Sequence, residues 1–131
     1  MAAALVPELY VSDLERSLDF YCGALGFSIV YQRPAERFAY IERGGAELML
    51  EEPVGRTWLA GPLEAPYGRG VNFQIAVEDA AALCEAALAA GALLIQPLEE
   101  KTYLRDDEPI RVRQGVVQDP DGYLLRFSEL L

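Results

Sequence analysis

Val6–Phe27 reads VPELYVSDLERSLDFYCGALGF, and the change of period inside this stretch decides the fold. Residues 5 to 11 alternate: Leu5, Pro7, Leu9 and Val11 share one face and Val6, Glu8 and Tyr10 the other, as in a strand with one side on a core. Ser12-Asp13-Leu14-Glu15 then has the spacing of a capping box, in which the Ser12 hydroxyl accepts from an orphan backbone N–H and Glu15 reaches back to the cap. Leu14, Leu18, Tyr21 and Leu25 continue as one helical stripe, and Gly26 is placed to end the helix. Three strands are expected next, FSIVYQ from Phe27, RFAYIER from Arg37 and AELMLEE from Ala46, with turns at Arg33-Pro34 and Gly44-Gly45. The unit is βαβββ.

The same plan recurs in GVNFQIAVEDAAALCEAALAAGA, residues 70–92: an alternating strand ending in Val77, an acidic cap, a helix, and a glycine. Val11-Ser12-Asp13 aligns with Val77-Glu78-Asp79 at an offset of 66, and Gly26 with Gly91 at 65, which makes the second half a diverged copy of the first. LLIQPLE from Leu93, PIRVRQGVVQ from Pro109 and YLLRFSE from Tyr123 supply its remaining strands, the last two joined by a tight turn at Asp119-Pro120-Asp121-Gly122. Residues 53–70, rich in Gly and Pro, connect the halves. Residues 98–108, LEEKTYLRDDE, are charged and irregular and are expected to form a mobile loop at the rim of a cleft. The expected organisation is a single domain, 1–131, with module one at 1–54, a connecting loop at 55–69 and module two at 70–131.

Composition narrows the function. The chain has 131 residues, 52% hydrophobic, enough for a core of its own. Its net charge of -10, with Lys101 as the only lysine, repels nucleic acid and anionic membranes and favours a neutral or cationic partner. No apolar run is long enough to span a bilayer and MAAALVPELYVSD lacks a basic leader, so a cytoplasmic location is expected. Cys22 and Cys84 lie in helical apolar patterns and read as buried free thiols. Histidine is absent, and with it the usual general base and the commonest nitrogen metal ligand.

The run VxDLxxSxxFYxxxLGF, Val11 to Phe27, and the run DPDGxxxxF, Asp119 to Phe127, resemble the vicinal oxygen chelate superfamily, which groups glyoxalases, extradiol dioxygenases, fosfomycin-resistance enzymes and bleomycin-resistance proteins. The resemblance spans nearly the whole chain. It implies an α+β fold, two tandem βαβββ modules forming a curved, partly closed mixed sheet with helices on the outer face. Both runs are structural, so they speak for the fold and not for a chemistry.

The family's metal ligands, carried onto this chain by the resemblance, fall at Val6, Met49, Asn72 and Arg126. None is a good ligand for a hard or borderline divalent cation: Val6 and Arg126 offer no donor, a thioether suits soft copper, and an amide oxygen contributes weakly. Glu8, Glu47 and Glu51 lie on the same strand faces by the period of two and could rebuild a site, although glutamates at strand edges in so acidic a chain are more often solvated. No cofactor is expected. The chain is most similar to the metal-free bleomycin-resistance branch, with Val6-Pro7 and the FAYIER strand as further points of likeness.

Two functions remain. One is stoichiometric capture of a cationic or planar aromatic small molecule, for example an antibiotic, in an acidic aromatic cleft; the candidate ligand-binding residues are Glu8, Tyr10, Phe38, Tyr40, Met49, Glu51, Trp58, Asn72, Gln74, Tyr103, Arg111 and Arg126. Core packing is the better reading for Phe20, Tyr21 and Phe73, while Trp58 and Tyr103 are expected in loops. The other is a glyoxalase- or dioxygenase-like enzyme with a rebuilt carboxylate site, or an acid–base catalyst using Glu8, Glu47 or Glu51, for which no nucleophile and base pair is evident. Arg111, Arg113 and Arg126 could clamp an anion but are expected to pair with nearby carboxylates. The resemblance also implies a homodimer with clefts at or near the interface.

Overall fold

The structure, a computed structural model, describes residues 3–131 and divides into two compact units, one ending at Tyr67 and the other spanning Gly68–Leu131. In the first, the alternating segment forms β1 (Glu8–Tyr10), followed by α1 (Leu14–Leu18), a π-helical segment (Asp19–Ala24), β2 (Ser28–Arg33), a 3-10 turn (Pro34–Glu36), β3 (Phe38–Arg43) and β4 (Ala46–Glu51). The sheet order is β1-β4-β3-β2, with β1 parallel to β4 and the other pairs antiparallel. The second unit repeats this order with β5 (Asn72–Ala76), α2 (Ala80–Ala89), β6 (Leu93–Arg105), β7 (Glu108–Gln118) and β8 (Leu124–Leu130), arranged β5-β8-β7-β6. The α+β class and the duplicated βαβββ plan are as expected from the sequence; the strands hydrogen-bond as two four-stranded sheets, one per unit.

Each sheet has a helix-side face and an open face, because alternate residues point opposite ways. In the first unit Leu9, Ala39, Ile41, Leu48 and Leu50 are buried on one face, and Leu14, Tyr21 and Leu25 of the helical segment are buried with them. In the second, Ile75, Val117, Leu125 and Phe127 are buried on the side where α2 contributes Ala80, Leu83, Cys84 and Ala87. Gly115 lets α2 approach: a Cβ there would stand 2.5 Å from Cys84 Sγ. Cys84 is buried, Cys22 half-buried, and both are free thiols whose pKa burial pushes up. Gly26 and Gly91, the expected helix stops, have φ of +81° and +93°, which an L side chain adopts only with strain.

Three local expectations are corrected. The first helix is capped by Asp13, not by Ser12: Asp13 is extended and its carboxylate accepts from the Arg16 N–H at 3.2 Å, while the Ser12 hydroxyl accepts from the Arg16 guanidinium at 2.9 Å. The helix holds α geometry for only five residues before widening into the π segment, a change that the Leu14–Leu25 stripe does not reveal. Residues 98–108 are no irregular loop. Leu98 to Arg105 continue β6, paired residue by residue with β7 from Glu99↔Gln114 to Arg105↔Glu108, and the chain turns at Asp106, whose φ is +55°. The charges that suggested a loop are cross-strand partners: Glu100 pairs with Arg113 at 3.1 Å and with Arg111 at 3.3 Å. Tyr103 therefore sits in a strand, whereas Trp58 is in irregular chain as expected.

Candidate functional site

Register assembles the open face of the first sheet. Glu8 lies opposite Met49, Met49 opposite Tyr40, and Tyr40 opposite Tyr31; one step along the strands, Tyr10, Glu51, Phe38 and Arg33 form a second row. Val54, Gly55, Arg56 and Trp58 extend beside the second row, and with that row, Glu8 and Met49 they bound a cavity of about 510 Å³. The structure thus brings together Glu8, Tyr10, Phe38, Met49, Glu51 and Trp58 along one cavity. The Tyr10 hydroxyl accepts from the Trp58 backbone N–H at 2.9 Å, which ties the connecting segment to the sheet and leaves the indole 72% exposed.

This cavity mixes carboxylates with aromatic faces. Burial, followed by the hydrogen bond and charge of Glu51, holds the Glu8 carboxyl above its ordinary value of 4.5. Two arginines already lie over the rings: Arg56 is 4.7 Å from the Trp58 centroid, and Arg33 is 4.8 Å from Phe38 and 5.3 Å from Tyr31. These are cation–π distances, so the rings stand where a positive group is stabilised.

Tyr40 does not line this cavity. Its hydroxyl donates to Glu47 at 2.6 Å and its ring stacks on Tyr31 at 5.1 Å; the Glu47 carboxylate, with burial adding to it, pushes the phenol up to about 12. Glu47 also accepts from the Ala3 N–H at 2.7 Å. It is therefore engaged apart from the Glu8 and Glu51 pair, and among the described residues no three Cys, Asp or Glu side chains gather as a metal-binding cluster. Val6 precedes β1 and Asn72 is exposed at the start of β5; by donor chemistry, the residues at the family's ligand positions do not fit a divalent cation.

The second unit has its own cavity, about 320 Å³, on the open face of its sheet. Gln74, Tyr103 and Arg126 line it; Gln74 and Arg126 are opposite one another in the β5–β8 ladder. Arg105, Gln114 and Ser128 also line it, with Ile110 and Val112 supplying apolar wall. The Gln114 amide donates to Tyr103 Oη at 2.7 Å and to Glu99 at 3.2 Å. Asn72 lies outside this cavity, and so does Arg111, exposed and paired with Glu100. Arg113 bridges Glu100 and Glu129, both at 3.1 Å. The expected pairing with carboxylates is thus found for Arg111 and Arg113 but not for Arg126, whose Nε is buried without a hydrogen-bond partner.

Sequence reasoning missed Arg33 and Arg56 in the first cavity and Arg105, Gln114 and Ser128 in the second. Ser128 was within reach of the period-two rule, two residues beyond Arg126 on the same strand face. Arg33 read as part of a turn with Pro34, and it is the last residue of β2.

Residues 3–127 match the Glyoxalase/Bleomycin resistance protein/Dioxygenase superfamily. The chain is 29% identical over 128 residues to a lactoylglutathione lyase of Haemophilus influenzae, covering 92% of this chain and 87% of that protein. It is 26% identical over 129 residues to a bleomycin resistance protein of Geobacillus stearothermophilus, covering 95% and 94%. Among solved structures, TioX from Micromonospora sp. ML1 superposes with a TM-score of 0.70 at 26% identity, covering 99% of this chain and 100% of that one. No helix among the described residues is long and apolar enough to cross a membrane.

Proposed function

We propose, from the premise that this chain belongs to the Glyoxalase/Bleomycin resistance protein/Dioxygenase superfamily, that it is a metal-free capture protein for a cationic, planar aromatic small molecule. The carrying observation is the first-unit cavity, where the Glu8 and Glu51 carboxylates adjoin Tyr10, Phe38 and an exposed Trp58. Such a site binds by stacking and charge together: the rings take the flat body, the carboxylates the positive group, and a ligand cation replaces the guanidinium over Trp58. The likeness to a bleomycin resistance protein supports this reading. The likeness to a lactoylglutathione lyase favours an enzyme instead, but a lyase of that kind needs ligands that Val6, Met49, Asn72 and Arg126 do not supply. The same reading makes the protein a cytoplasmic homodimer, expected by light scattering at twice the chain mass.

The test is a thermal melt and calorimetric screen of the purified protein against bleomycin-type glycopeptides and planar cationic dyes, with neutral planar analogues alongside. A ligand that binds only the native state raises the melting temperature. Stabilisation by the cationic set, lost in Trp58→Ala and reduced in Glu51→Gln, is the expected result. A stoichiometric bound metal by elemental analysis, with stabilisation by Mn, Ni, Zn or Fe(II) instead, overturns it.

A further inference from the structure

The first cavity sets three glutamates against two arginines, whereas the second is lined by charges of one sign. In a chain with net charge -10, its lining contains two arginines, Arg105 and Arg126, and no carboxylate. Neither arginine forms an ion pair with any described residue. The contrast with Arg111 and Arg113 of the same sheet, both held by Glu100, shows that carboxylate partners are available to this sheet but not provided at Arg126. Arg126 Nε is moreover sealed from solvent with no acceptor, an arrangement that costs free energy unless something supplies one.

A second donor points the same way. Tyr103 Oη accepts from the Gln114 amide at 2.7 Å, so its own proton is left to give, and no acceptor for it occurs among the described residues. Gln114 is in turn held by Glu99, which fixes the Tyr103 oxygen in place. The cavity therefore gathers a guanidinium, a second arginine and a phenol proton, all without acceptors, against the apolar wall of Ile110 and Val112.

We propose that the second module carries a binding site for a small organic carboxylate, with the anionic group on Arg126 and Tyr103, Arg105 at the mouth, and the apolar body against Ile110 and Val112. A carboxylate matches the planar fork of a guanidinium and adds the acceptors that the site lacks. The cavity volume, about 320 Å³, suits a compact aryl or branched aliphatic acid. The site is built wholly from the second unit and stands independently of the capture reading of the first.

The experiment uses the full chain at fixed ionic strength, titrated calorimetrically and by thermal melt with sodium benzoate and sodium isovalerate, and with benzamide and benzylammonium as neutral and cationic counterparts. Benzoate is expected to bind at least about tenfold more tightly than benzamide. Arg126→Met, which keeps the side-chain length, is expected to melt higher than the wild type without ligand, because it removes an unpaired buried donor, and to weaken benzoate at least about tenfold. Tyr103→Phe is expected to weaken it severalfold, while Glu51→Gln leaves it unchanged and so separates this site from the first cavity. Equal binding of benzoate and benzamide, or undiminished benzoate affinity in a folded Arg126→Met, overturns the proposal.

Discussion

The Glu129 carboxylate accepts a hydrogen bond from the Ala80 N–H at 3.0 Å, joining the end of β8 to the first turn of α2. Its counterpart in the first unit is Glu52, just past β4, which accepts from the Leu14 N–H at 2.9 Å. The start of each helix is thus held by its aspartate cap and by a glutamate at or just past the last strand of its sheet, which satisfy orphan amides and complement the helix dipole. Glu52→Ala and Glu129→Ala are each expected to lower stability by roughly 1–2 kcal/mol in urea titrations. Glu129→Ala should cost more, because Glu129 holds Arg113 at 3.1 Å whereas Glu52 reaches the exposed Arg37 only at 4.0 Å.

Gly115→Ala places its methyl 2.5 Å from Cys84 Sγ, inside the buried seam between α2 and β7. A loss of about 1–3 kcal/mol is expected from overpacking. The double variant with Cys84→Ala removes the sulfur and should recover much of the loss. A double-mutant cycle with no coupling between the two positions counts against this seam.

The paired carboxylates of the first cavity give a pH signature. Because the Glu8 carboxyl is raised above 4.5, the folded state keeps its proton to higher pH than the unfolded chain, so the contribution is full below about 4.5 and is lost as pH rises through the folded value. Glu8→Gln removes that loss. Its melting temperature should match the wild type near pH 4 and exceed it at pH 7. A difference that is constant across this range is inconsistent with the pair.

Tyr40 is held protonated to about 12 chiefly by its hydrogen bond to Glu47. Glu47→Gln keeps a hydrogen-bonding side chain but removes the charge, so the phenol should titrate closer to its ordinary value of 10. Ultraviolet difference titration of the variant against the wild type, with Tyr40→Phe to assign the transition, measures it.

The duplicated architecture and much of the first cavity were legible because they rest on period and register. Once Val11 and Val77 end their strands and Gly26 and Gly91 stop their helices, alternation alone puts Glu8 and Tyr10 on one face and Met49 and Glu51 on another strand's matching face. What the sequence concealed depends on partners distant along the chain. LEEKTYLRDDE looks like loop until Arg111 and Arg113 are seen opposite Glu100, since a charged edge strand is held by its neighbour and not by its own hydrophobicity. The cap at Asp13 in place of Ser12 turns on backbone angles one residue apart. Arg126 could be numbered as a candidate from sequence, but that its acceptor is missing while Arg113 has two was a fact of three dimensions.

Each of the two cavities is walled entirely by residues of one module, and no lining residue is shared. Duplication has therefore left this chain with two evolutionary degrees of freedom where a single shared pocket would have one. Substitutions that retune ligand choice in one half leave every lining residue of the other in place. Selection can then remake one specificity while the other is conserved.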